Sequence, residues 1–245
     1  MAKAGHKEIV LTGVNLGLYR YKHYKLIDII EALEDISSLE RIRISSIEFR
    51  TIADSLIKKM AQKSKLCRFL HVPVQSADNN ILKAMNRKYL FKEFHAFIKK
   101  TSAAIPHVCL GKDIIVGFPK ETNEHFLRTY NNLKDLPIHY FHVFTYSQRK
   151  WAKSRFLKNI LEKSVLSQRS QLLRELSLQK RDSFWSSLIG TTQDILFEEK
   201  KDGLWRGFSD NYVRTAVYSD KCLKNKILPV LLEKKNNGLM IGKLI

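Results

Sequence analysis

The stretch DIIVGFPKET, Asp113 to Thr122, runs Ile114, Ile115 and Val116 into Gly117, Phe118 and Pro119, then stops on Lys120, Glu121 and Thr122. A β-branched run of that length suits a strand covered on both faces in a parallel sheet. Such strands place ligands at their carboxyl ends. Gly117 lets the backbone turn sharply or approach a bound molecule, Pro119 fixes the exit path, and Glu121 can accept hydrogen bonds from a polar ligand. The same residues also describe an ordinary strand-to-helix loop with Thr122 as the helix N-cap.

Outward from this stretch, apolar β-branched runs alternate with helical patterns. EIVLTGVN (Glu8 to Asn15) reads as a strand, and LIDIIEALEDI after it repeats Ile27, Ile30, Leu33 and Ile36 at helical spacing. RIRISSIE is a second strand and TIADSLIKKMAQ a helix; FLHVPVQS is a third, followed by helical NNILKAMNRKY and FKEFHAFIKKTSAAI. VCLGKDIIVGFP is the fourth strand, ETNEHFLRTYNNLKDL a helix and HYFHVFTYS the fifth strand. Strand and helix in alternation predict right-handed βαβ units on a parallel sheet.

After Tyr146 a long polar helix is expected, from Lys153 to Ser186, with Leu157, Ile160, Leu161, Leu166, Leu172, Leu173 and Leu176 as its apolar stripe. Its charges, Arg155, Lys158, Lys163, Arg169, Arg174, Lys180 and Arg181, describe a solvated face. From Gly190 the pattern changes to short strands, TQDILFEEK, LWRGFSD, YVRTAVYS, KILPVLLEKK and GLMIGKLI, broken at Asp202-Gly203, Asp220 and Asn236-Asn237-Gly238. Many short strands with close turns predict a small β-barrel. Trp205, Arg206, Phe208, Tyr212 and Arg214 are its candidate RNA contacts, with Trp205 and Phe208 equally suited to its core.

At 245 residues with 44% hydrophobic content the chain can bury a real core, and 43 Lys and Arg against 24 Asp and Glu give a net charge of +19. That excess attracts polyanions, nucleic acid first. No basic amphipathic anchor, lipidation signal or long uncharged apolar span points to a membrane, and MAKAGHKEIV reaches a strand too soon for a signal peptide. Cys67, Cys109 and Cys222 are odd in number and far apart, so neither a disulfide framework nor a metal cluster is legible in their spacing, and free thiols in a cytoplasmic chain are expected. His71, His139 and His142 lie on strand-like runs, where a hydrogen-bonded structural histidine is commoner than a ligand.

EIVLTGVNLGLY, LERIRISSIE, HVPVQSADNNILKAMNRKY, DIIVGFPKET and HVFTYSQR resemble, in order and spacing, successive blocks of the radical S-adenosylmethionine tRNA methylthiotransferases, above all the branch acting on threonylcarbamoyladenosine 37. The resemblance implies a partial (β/α) barrel lacking its first strand over residues 1–187, and a TRAM-like RNA-binding β-barrel over 188–245. It further implies that S-adenosylmethionine lies at the strand ends beside a [4Fe-4S] cluster. Thr12, Gly13 and Asn15 would stand near the amino acid end of that cofactor. Ser45, Ser46 and Glu48 would follow on the next strand, with His71, Pro73, Gln75 and Ser76 near the ribose. Gly117, Phe118 and Glu121 would face the adenine, with Tyr146, Ser147 and Arg149 on the last strand. The partner implied is tRNA at its anticodon region.

Several positions depart from that family's pattern. The Cys-x3-Cys-x2-Cys loop that ligates the cluster, and three further cysteines of a preceding domain, have no counterpart here. The cluster is therefore not expected on this chain, which would be inactive alone and would need a companion chain carrying those segments. Ala77 and Lys120 stand where the family has Gly, and Lys150-Trp151-Ala152 replaces Pro-Gly-Thr, which predicts local distortion wherever φ must be positive. Three functions follow: part of a methylthiotransferase, a tRNA-binding remnant or module without catalysis, or a different α/β enzyme using strand ends of a partial barrel.

Overall fold

The computed structural model describes residues 2–62, 64–157 and 161–245. In chain order its elements begin with β1 (Glu8–Leu11), β2 (Arg20–Tyr21), β3 (Tyr24–Lys25), α1 (Leu26–Glu34), β4 (Arg41–Ile44), α2 (Asp54–Ala61) and β5 (Phe69–His71). Next come α3 (Asn79–Ala84), α4 (Phe91–Ala104), β6 (Cys109–Val116), α5 (Asn123–Asp135), β7 (Tyr140–Thr145) and α6 (Lys163–Ser186). The last five strands are β8 (Thr192–Lys201), β9 (Leu204–Ser209), β10 (Arg214–Tyr218), β11 (Ile227–Asn236) and β12 (Leu239–Leu244). The fold is mixed α/β, with these five strands closed into a small barrel in the order β10-β12-β11-β8-β9.

Two compact units divide the chain: residues 1–71, 104–109 and 182–245 form the first, and residues 72–103 and 110–181 the second. In the first unit β1 and β4 pair in parallel from Glu8↔Arg41 to Leu11↔Ile44, and Leu66 bridges Ile42 in the same sense. RIRI in β4 alternates as a strand must. Ile42 and Ile44 are fully buried with Ile30, Leu39 and Leu70, so one face of the strand is core. Arg41 and Arg43 lie on the other face and are buried too, because the barrel covers them. Arg43 donates to both carboxylate oxygens of Glu8, at 2.7 and 3.1 Å, and to the carbonyls of Ser209 and Asp210. Arg41 donates to the carbonyls of Phe208 and Asp194. Arg68 forks onto Asp210 at 2.6 and 2.9 Å and reaches Gln193. Three guanidiniums thus moor the barrel to the first strands of the chain, each with a planar set of donors matched to fixed acceptors.

In the second unit β6 and β7 pair in parallel from Gly111↔Tyr140 to Val116↔Thr145, and Gln75 bridges Ile114. Its core holds Phe94, Ile98, Leu110, Ile114, Leu133 and Leu173. Lys112 is fully buried among them, its ammonium group 4.2 Å from the Phe94 ring centre, and burial drives its pKa well down. His139 accepts a hydrogen bond at Nδ1 from the Leu110 N–H, and burial, with Lys112 and Lys180, pushes it down to about 4.

Two sequence expectations change shape. FLHVPVQS is a regular strand only over Phe69–His71, since Pro73 has no N–H to give and Gln75 takes a φ of 71°, with pairing to β6 recurring as a bridge at Gln75. The long helix expected from Lys153 begins as a 3-10 turn, Lys153–Phe156, and resumes as α6 at Lys163; Lys158 and Ile160 lie outside the described residues. Within α6 the buried leucines are Leu173 and Leu176.

Candidate functional site

At the carboxyl ends of the first unit's strands, pairing continues past the ladder. Ser45 N–H donates to Leu11 O at 3.0 Å and Ile47 N–H to His71 O at 3.0 Å, so the residues following β1, β4 and β5 are held side by side. This brings together Thr12 and Gly13, Ser45, Ser46 and Glu48, and His71. Asn15 joins them through Thr51, whose hydroxyl donates to Asn15 Oδ1 at 3.2 Å and to Glu48 O at 2.7 Å. Gly17 is needed here, because a Cβ on it would lie 2.0 Å from Thr51 Oγ1. The hydroxyls of Thr12, Ser45 and Ser46 reach solvent at these adjacent strand ends, Thr12 exposed and the two serines partly so.

The second unit presents the remaining candidates. Gln75 N–H donates to Asp113 O and Ile115 N–H to Gln75 O, which fixes Gln75 beside the middle of β6. Pro73 is half-buried two residues earlier. Ser76 is buried, its hydroxyl shared with Thr129 at 3.3 Å and the Asp78 N–H at 3.2 Å, so it braces the chain internally. Tyr146 N–H donates to Val116 O, and its ring meets Phe118 edge-on at 5.3 Å. Ser147 and Arg149 are exposed just beyond.

The turn DIIVGFPKET is more tightly built than its sequence announces. Gly117 has a φ of 76°, and a Cβ on it would lie 2.0 Å from Leu166 Cδ2, so both backbone and space demand glycine. Thr122 caps α5 through its hydroxyl, which accepts from His125 N–H. The Glu121 carboxylate, read from sequence as an acceptor for a ligand, is committed inside the unit: Oε1 accepts from Gly117 N–H at 3.1 Å and from Arg169 Nη1 at 2.6 Å. Burial raises its pKa, with Arg169 and the Gly117 N–H pulling it back. Lys120 holds a φ of 75°, so the sequence's departure from glycine is felt there, while Ala77 is buried without a positive φ and loses nothing. Lys120→Gly is therefore expected to raise stability by about 1 kcal/mol, read from urea unfolding midpoints at constant m-value.

The barrel's candidates separate. Trp205 is buried, with Lys200 5.9 Å above its ring centre, so the indole is a core group and offers no face to a base. Phe208 and Tyr212 stack at 4.8 Å, and Tyr212 also meets Phe69 at 4.8 Å and Arg43 at 5.0 Å, which makes the pair part of the mooring. Arg206 pairs with exposed Asp202 at 2.6 Å. Arg214, half exposed, stands 3.6 Å from Glu199.

The thiols do not suit an iron-sulfur cluster, which needs several thiolates at one place. Cys67 and Cys109 are buried, and that burial pushes both up to about 12, so they are protonated thiols; Cys222 is exposed between β10 and β11. No helix among the described residues is long and apolar enough to cross a membrane.

A family model of the radical SAM superfamily matches residues 1–133. The chain is 33% identical over 242 residues to the threonylcarbamoyladenosine tRNA methylthiotransferase MtaB of Bacillus subtilis, across 96% of this chain and 54% of that protein. It is 36% identical over 245 residues to a tRNA-2-methylthio-N(6)-dimethylallyladenosine synthase of Endomicrobium trichonymphae, across 100% of this chain and 59% of that protein. The MtaB of Aquifex aeolicus is 34% identical over 214 residues, 87% of this chain and 51% of its own length. A solved structure of Elp3 from Methanocaldococcus infernus aligns with 91% of this chain and 68% of its own at a TM-score of 0.47 and 9% identity. The chain thus spans about half the length of the curated relatives it matches.

Proposed function

Because the chain belongs to the radical SAM superfamily, we propose that it serves as the S-adenosylmethionine- and tRNA-holding part of a methylthiotransferase acting at C2 of N6-threonylcarbamoyladenosine 37. The observation that carries this reading is the side-by-side placement of Thr12, Ser45, Ser46 and Glu48 at adjacent parallel strand ends, fixed by the Ser45 N–H to Leu11 O and Ile47 N–H to His71 O hydrogen bonds. A cofactor with an amino acid, a ribose and a purine needs such convergent polar groups. Since the cysteines at hand do not suit a cluster, no electron transfer is assigned to these residues, and cluster ligands would come from outside them. The TRAM-like role of the barrel, the anticodon region as the part of tRNA contacted, and a cytoplasmic location belong to the same reading. A second reading, a tRNA-holding module without catalysis, draws on the thiols whose burial keeps them protonated.

Equilibrium dialysis with labelled S-adenosylmethionine tests the first reading. One molecule per chain should bind without any cluster, and Ser45→Ala with Ser46→Ala should weaken it about tenfold, as expected when one or two hydrogen bonds are removed. No retention of the cofactor, together with intact tRNA binding, decides for the second reading. On either reading tRNA affinity should fall with salt at a logarithmic slope of roughly −0.7 to −0.9 per phosphate neutralised, and Arg214→Ala should make that slope shallower.

A further inference from the structure

Residues 18–25, Leu-Tyr-Arg-Tyr-Lys-His-Tyr-Lys, form a small hairpin in the first unit in which β2 and β3 pair Arg20 with Lys25 and Tyr21 with Tyr24 across a two-residue turn. We propose that this hairpin is a second RNA-binding element, which takes unpaired bases on its tyrosine face and phosphates on its basic face.

Neighbouring residues of a strand point to opposite faces, so the pair Tyr21 and Tyr24 shares one face and the pair Arg20 and Lys25 the other. Every side chain from Leu18 to Lys25 is exposed, Tyr21 by 59% and Tyr24 by 44%. Single exposed aromatics are common on protein surfaces, but two directly opposed, with the His23 ring 4.0 Å from Tyr24 and the Lys22 ammonium 5.6 Å from the Tyr21 ring centre, make a platform. Like charges opposed across a strand pair are destabilising. Yet Arg20 faces Lys25, and among the described residues no carboxylate pairs with either side chain. Lys22 adds a φ of 52° at the turn, where glycine or asparagine would relax the backbone. The opposed like charges of Arg20 and Lys25, which work against folding, are what a polyanion would relieve. The base of the hairpin is firm: the turn at Leu16–Leu18 packs Gly17 against Thr51, and Lys25 N–H donates to Asp28 Oδ2 at 2.7 Å as α1 begins. Base stacking on aromatics with cations beside them is the sequence-tolerant mode of single-strand binding.

The RNA partner rests on the function proposed above, so the probe is chosen to stand apart from it: a twelve-residue oligo-uridine titrated against the full chain at several salt concentrations. Tyr21→Ala and Tyr24→Ala should each weaken binding by at least about fivefold without changing the salt slope, and Tyr21→Phe should restore it. Arg20→Gln with Lys25→Gln should make the slope shallower by roughly 0.7 for each phosphate that is no longer neutralised. Oligo-uridine binding that is absent, or that ignores all of these changes while Arg214→Ala weakens it, overturns the inference. So does loss of binding to phosphatidylserine vesicles with RNA binding intact, which would make the hairpin a membrane contact. If the hairpin variants lose RNA while S-adenosylmethionine never binds, the inference stands and the enzyme reading falls. If the cofactor binds and the hairpin variants are silent, the reverse holds.

Discussion

Arg43→Ala is expected to destabilise the first unit by about 3–5 kcal/mol, the cost of removing one partner from a buried ion pair. The guanidinium bonds Glu8 twice, two barrel carbonyls once each, and lies over the rings of Phe69 and Tyr212 at 5.4 and 5.0 Å. Alanine leaves the Glu8 carboxylate, whose side chain is 15% exposed, with Arg41 at 3.8 Å and the Cys67 thiol at 3.9 Å. Arg43→Lys should recover little, because an ammonium group cannot reach Glu8 in a fork and the barrel carbonyls together. A double variant, Arg43→Met with Glu8→Met, should lose less than the sum of the two single changes, since it removes both members of the closest pair and leaves Arg41 with its barrel carbonyls. Differential scanning calorimetry should show the single variant's transition moved down by roughly 6–20 °C. A shift of a degree or two would mean that the barrel is held by apolar contact and the arginines are incidental.

Arg169→Ala should act with similar force in the second unit, again about 3–5 kcal/mol at neutral pH, because it strands the Glu121 carboxylate in the interior. Its pH dependence carries a sign. Burial already raises the folded pKa of Glu121 above the ordinary 4.5, against the opposing pull of Arg169 and the Gly117 N–H. A carboxyl raised in this way contributes stability that is complete below the unfolded pKa and is lost as pH rises through the folded one. Without Arg169 the folded pKa climbs further, so the variant's deficit should be widest at neutral pH and should narrow as the medium is acidified toward the unfolded carboxylate range. Urea unfolding at two pH values measures it, and a deficit that grows on acidification would sink the account. Glu121→Gln placed on the variant should recover part of the loss at neutral pH, where it removes the charge but keeps an acceptor for Gly117.

Much of this architecture is legible in the sequence because it depends on local pattern. EIVL, RIRI, CLGKDIIV and YFHVFT announce strands through β-branched or aromatic runs, and the barrel announces itself through five short runs between turn residues. Thr122 could be named as a cap because capping needs only three residues. What stayed hidden depends on partners far along the chain. Nothing near Arg41 or Arg43 says that their donors reach residues more than 150 positions away, and nothing near Glu121 points to Arg169. Trp205 shows the limit in reverse: an aromatic beside an arginine reads equally as a stacking face or as core, and only closure of the barrel separates the two. The tyrosine hairpin escaped for another reason. Its strands are two residues each, too short for alternation to show, and its turn holds Lys22 and His23 where a hairpin signal would have glycine.

The mooring by Arg41, Arg43 and Arg68 also sets an order of events during synthesis. The first unit is discontinuous: its opening strands are made early, but the acceptors they require lie beyond residue 182. Arg43 must wait for Asp210, 167 residues later. At translation rates of about 5–20 residues per second that is a delay of roughly 8–33 s, during which β1 and β4 can pair but their arginines have no partner other than Glu8 and water. The whole of the second unit emerges from the ribosome within that interval and can fold first. The barrel therefore acts as the closing step of assembly, and a nascent chain stalled before it would expose a strand pair rich in cations, a natural target for a chaperone or for the anionic ribosome surface itself.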